Sequence, residues 1–129
     1  MPALRILLFV TCVAGLMYGL FRETPPAQVF NQSDKVGHIL GFAVMSTAGI
    51  WCLPRRFIGG FLVVLIGLAL SAEFLQERLL PYRHFSLDDL YANLAGIALV
   101  TLPWLLWQLS KKAIQHSDTP ILNSSENHQ

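Results

Sequence analysis

The sequence predicts an all-α fold, a four-helix transmembrane bundle with a short polar C-terminal tail. Three observations carry that expectation. Of the 129 residues, 53% are hydrophobic and 13% charged, whereas roughly 25% of an average soluble domain is charged. The mean hydropathy of +0.50 means more apolar surface than so small a globule can hide from water. Four apolar runs, 4–21, 36–53, 57–75 and 87–107, each come close to the roughly 17–25 residues that a membrane-spanning helix needs.

Each run must be helical, because hydrocarbon offers no water to satisfy a free backbone N–H or C=O, and runs of this length exceed a barrel strand. In the first, Arg5 precedes an apolar stretch longer than a secretory h-region. No A-x-A pattern follows, so the run is expected to be retained rather than cleaved. The connection 22–33 contains Pro25-Pro26 with Gln28, Asn31 and Gln32, residues that stop a helix and suit an aqueous loop. Between the second and third runs only a short turn at Leu53-Pro54-Arg55-Arg56 remains, which predicts antiparallel neighbours. Ser86 is placed to cap the fourth helix, with Asp88 and Asp89 in its first turn at the positive end of the dipole. The bundle is expected to occupy 1–112, followed by a disordered polar tail over 113–129.

Orientation follows from the basic residues. Arg5, Arg55, Arg56, Lys111 and Lys112 flank one side and Arg22, Lys35, Arg78 and Arg83 the other, five against four, which favours cytoplasmic termini. Trp51, Trp104 and Trp107 lie near the same ends and read as interfacial anchors.

Composition also excludes functions. A net charge of +1 offers no footprint for nucleic acid. Cys12 and Cys52 lie inside apolar runs and read as buried apolar residues, not as a disulfide framework or zinc site. No G-x-S-x-G, Walker loop or dinucleotide fingerprint is present, which argues against a serine hydrolase, a nucleotide-driven pump and a nicotinamide enzyme. No cofactor is expected.

The chemistry concentrates at one membrane face. Helix two opens with Lys35 and, one turn inside, His38, an ionisable residue that needs a partner in an apolar span. Helix three ends with Glu73 and Gln76 on one face. Helix four opens with Asp89, followed one turn deeper by Asn93 and then Gly96. Alternating topology brings these three ends together. Arg83 in the preceding loop suits a phosphate or carboxylate as a bidentate donor, with Lys35 as a point charge. The candidate catalytic set is His38, Glu73 and Asp89, able to exchange protons; the candidate ligand-binding set is Lys35, Gln76, Arg83 and Asn93. His38, Glu73 and Asp89 are also metal-ligand types, but no short spacing selects a metal and none is expected. Gly96 is expected to let another helix approach closely, as are the G-x-x-x-G pairs Gly15/Gly19 and Gly37/Gly41.

From about Asp34 to Gly96 the chain resembles the VanZ-like family of small bacterial membrane proteins. Lys35-x-x-His38 followed by Phe42, then Glu73-x-x-Gln76, then Arg83 with Asp89-x-x-x-Asn93-x-x-Gly96 carry the resemblance through their order on successive helices. Val100 departs from it, standing where a second glycine often follows. The resemblance implies a four-helix inner-membrane protein of the cell envelope; one member type is associated with low-level resistance to the glycopeptide teicoplanin. Three functions follow as expectations: a binder of an anionic lipid-linked phosphate or cell-wall precursor at the outer face, an enzyme that hydrolyses or transfers groups on such a lipid, or a purely structural polar network. Membrane lipids are the expected partners in the first two.

Overall fold

In the computed structural model, which describes residues 2–23, 32–81 and 83–117, the chain forms four helices: α1 (Pro2–Phe21), α2 (Ser33–Cys52), α3 (Arg55–Leu79) and α4 (Leu87–Ser117). No strand occurs among the described residues. Most of the expected 22–33 loop, including Pro25-Pro26, Gln28 and Asn31, lies outside the described residues, as does 118–129 of the expected tail.

The helices outlast the apolar runs because a helix continues into the polar interface. α2 begins three residues early, at Ser33, and α3 runs on through Gln76, Glu77 and Arg78. The largest departure is at α4. The segment from Ala113, expected to be tail, remains helical to Ser117. Leu109, Lys111, Lys112, Ala113 and Gln115 are good helix formers with no Gly or Pro among them. Pro103 inside α4 does not end the helix, although it removes one backbone donor.

α1, α3 and the Leu87–Gln115 part of α4 are long and apolar enough to cross a membrane. α2 is less apolar because Asp34, Lys35, His38, Ser46 and Thr47 share its 20 residues. It is also the most enclosed helix: it packs most extensively on α4, then on α1, and also on α3. Phe42, Met45, Leu65, Ala69, Ala72 and Ile97 form the core between α2, α3 and α4, with Leu20 joining from α1. The outer surface is apolar. Leu7, Val63, Val64, Leu99 and Leu106 are each 63–71% exposed, an apolar exterior compatible with a membrane surrounding.

Helices approach most closely at Gly96 and Gly49, and at Gly41 a Cβ would already press on Leu16 at 3.3 Å. A Cβ on Gly96 would collide with the Ile39 carbonyl oxygen and press on Phe42, and one on Gly49 would enter the Phe61 ring. Gly96 thus lets α2 and α4 touch, as expected. At Gly15, Gly19 and Gly37 the expectation fails, since a Cβ on any of them meets no atom within 4 Å.

The cysteines also differ from the sequence reading. Cys12 and Cys52 are free but half-buried; Cys12 packs against the edge of the core and lines the space between α1 and α2. Trp51 is 80% exposed, and Lys111 Nζ lies 3.9 Å above the Trp107 ring, both at the bundle end opposite His38. That arrangement suits interfacial anchoring.

Candidate functional site

The Ser86 cap sets up the site. The Asp89 backbone N–H donates to Ser86 Oγ at 3.2 Å, which fixes the first turn of α4 and separates its two carboxylates. The Asp88 side chain points outward, 72% exposed, while that of Asp89 is 9% exposed. Lys35 Nζ stands 3.8 Å from a carboxylate oxygen of each. One aspartate therefore serves the helix end and its neighbour enters the bundle.

One turn deeper, His38 lies between two carboxylates. Its Nδ1 is 3.8 Å from Glu73 Oε1 and its Nε2 is 4.0 Å from Asp89 Oδ2. Asn93, fully buried, joins α2 to α3. Its amide nitrogen makes long donations to the Ala69 carbonyl (3.4 Å) and to Glu73 Oε1 (3.5 Å). Its oxygen consequently faces His38 and accepts from Nδ1–H at 2.8 Å. The asparagine orientation thereby assigns a hydrogen to Nδ1 and leaves Nε2 facing Asp89. Hydrogen bonds join His38, Asn93 and Glu73, while Lys35 and Asp89 add ion-pair contacts of 3.8–4.0 Å that leave the buried Asp89 Oδ1 without a hydrogen-bond partner among the described residues.

Gln76 and Arg83 share no hydrogen bond with these residues, although the Arg83 charge acts on Glu73. Gln76 is buried and its Nε2 donates to the Leu20 carbonyl at 2.6 Å, satisfying a backbone group at the end of α1 that the helix itself leaves free. This bond holds the C-terminal ends of α1 and α3 at the same face as His38. Arg83 is half-buried, and its buried Nε has no hydrogen-bond acceptor among the described residues.

Arg83 and His38 meet again at a groove of about 410 Å³ between α1 and α2, within the roughly 300–1,000 Å³ range of ligand pockets. Arg22, Asp34, His38 and Arg83 line its polar end, while Leu16, Leu40 and Val44 are among its apolar walls. Asp34, four residues before His38 on the same helix face, joins the site beyond the residues that the sequence singles out. Its half-buried side chain carries an oxygen, Oδ1, without a hydrogen-bond donor among the described residues. The fully buried Ser46, two turns below His38, also escaped the sequence reading, since a serine in a helix carries no spacing signal.

His38, Glu73 and Asp89 present donor atoms within 4.8 Å of one another. The two ring nitrogens face different carboxylates, and Nδ1 is engaged by Asn93. The three side chains are close enough to hold a metal ion, while the 2.8 Å bond to Asn93 occupies one of the two ring nitrogens. No family model, curated protein or solved structure matches the chain.

Proposed function

We propose that the chain is a VanZ-like integral protein of the bacterial inner membrane, with both termini cytoplasmic, that binds an anionic lipid-linked phosphate or cell-wall precursor at the outer face. The observation that carries this reading is Arg83: a guanidinium at the mouth of a polar-ended, apolar-walled groove, with a buried Nε lacking an acceptor among the described residues. A buried donor without a partner costs about 1–3 kcal/mol, and a phosphate oxygen would supply the partner through a charge-assisted bond. The ordered motif from Lys35 to Gly96 supports the family, and the apolar exterior supports the membrane.

Division of labour among the seven sequence candidates supports a binder. Lys35, His38, Glu73, Asp89 and Asn93 engage one another, Gln76 holds α1, and Arg83 faces the groove. The test is mass spectrometry of lipids that co-purify with wild type and with Arg83→Ala. An anionic phosphate lipid retained by wild type and lost from an equally stable variant is the expected result. Identical lipid profiles would remove Arg83 from the site and end this reading.

A second reading, hydrolysis or group transfer on the same lipid, is favoured by His38, which lines the groove and is held by Asn93 with Nε2 toward Asp89. Asp89→Asn separates the two: an enzyme would lose turnover while retaining the lipid, whereas a binder has no turnover to lose.

A further inference from the structure

Gly15/Gly19 and Gly37/Gly41 have the spacing that ordinarily lets two helices touch. Here the seam stays open. A Cβ on Gly15, Gly19 or Gly37 would meet nothing within 4 Å, and one on Gly41 would meet only the Leu16 side chain at 3.3 Å. All four glycines line the groove. Gly41 accommodates Leu16 of α1, whereas the missing side chains of Gly15, Gly19 and Gly37 make room for something other than the facing helix.

The dimensions and polarity of the groove indicate what fits. It extends from Arg22 back to Cys12 on α1 and from Asp34 to Val44 on α2. Ten residues of helix on either side measure about 15 Å, half of the roughly 30 Å hydrocarbon core. The groove is thus one leaflet deep. Its charged residues all lie at one end, where Arg83 presents a buried Nε without a hydrogen-bond partner among the described residues, and its inner part is walled by apolar side chains and glycine. A polar end carrying an unpartnered guanidinium N–H and an apolar slot match a single lipid chain beneath an anionic head.

We propose that the α1–α2 groove seats one hydrocarbon chain of a phosphate-headed membrane lipid, lying along Gly15, Gly19 and Gly37 with its head at Arg83 and His38. The head placement rests on the binding reading above; the chain placement rests on the open glycine seam. The lipid enters sideways from the leaflet, because the groove opens between two helices and not only at the end of the bundle.

The test uses the full chain in phosphatidylcholine nanodiscs with hexadecyl phosphate carrying a diazirine at its chain end. At a concentration about ten times Kd the seat is roughly nine-tenths occupied. Photo-crosslinks at Cys12, Leu16 and Val44 then exceed those at the outward residues Val63, Val64 and Leu99 by about tenfold. Gly15→Leu with Gly19→Leu fills the slot and abolishes this enrichment. Gly67→Leu, equally free of neighbours within 4 Å, leaves it intact.

Crosslinks spread evenly over the helices overturn the proposal. So does a groove without crosslinks while lipid remains bound, which would assign that space to the 24–31 connection or a second copy. Arg83-dependent retention with crosslinks only outside the groove rejects the chain seat and leaves the headgroup reading standing. Groove crosslinks that persist in Arg83→Ala, and that the diazirine analogue of hexadecanol reproduces, keep the chain seat and reject the headgroup reading.

Discussion

Replacing Asn93 with Ala tests whether the buried network holds the bundle together. The substitution removes the acceptor of the 2.8 Å bond from His38 and the two longer donations to Ala69 and Glu73. Loss of the short bond strands a buried N–H, at about 1–3 kcal/mol. Interhelical hydrogen bonds in membranes average about 0.6 kcal/mol and reach about 1.7 kcal/mol, so the lower part of that range applies. The long donations add less, while emptying a fully buried site adds a cavity cost. The sum is about 2 kcal/mol, roughly a thirtyfold change in the unfolding equilibrium. Unfolding in mixed micelles with increasing dodecyl sulfate, followed by circular dichroism, measures it. Tyr91→Ala, at an exposed position of the same helix, provides the control. A loss below about 0.5 kcal/mol, the usual effect of a surface change, would refute the reasoning.

Other outcomes follow from the same geometry. Gly96→Ala forces α2 and α4 apart and is expected to cost about 1–3 kcal/mol, whereas Gly67→Ala, with open space around it, gains up to about 1 kcal/mol from helix propensity; thermal unfolding in detergent distinguishes them. Ser86→Ala removes the cap on α4 and is expected to cost about 1 kcal/mol, read in the same assay. A reporter fused after Gln129 is expected to be active on the cytoplasmic side, and activity on the other side would invert the placement of the pocket.

The apolar runs made all four helices legible, because hydrocarbon allows a long uncharged segment little else. They made the helix ends less so. Ser33, Asp34 and Lys35 belong to α2, and Ala113–Ser117 to α4, although neither segment looks apolar. The meeting of His38, Glu73, Asp89 and Asn93 was also legible, since alternating topology and helical spacing are sufficient to bring them to one face. What each residue does there was hidden. Gln76 shares a face with Glu73 in the sequence, yet its partner is the Leu20 carbonyl, a group with no side-chain signature. The glycine pairs show the same limit: spacing identifies a small-residue face, but the distance to the facing helix decides whether that face closes at Gly96 or stays open at Gly15, Gly19 and Gly37.

The central claim, a phosphate held by Arg83, is most directly tested by the phosphorus–nitrogen distance. Solid-state NMR dipolar recoupling on protein labelled with 15N-arginine, reconstituted with hexadecyl phosphate in phosphatidylcholine, compares wild type with Arg83→Lys. The account predicts a guanidinium–phosphorus distance of about 4 Å, as a direct N–H to phosphate-oxygen bond requires, present in wild type and absent from the variant. Bound lipid phosphate with no such contact, or a contact that survives Arg83→Lys, would contradict it.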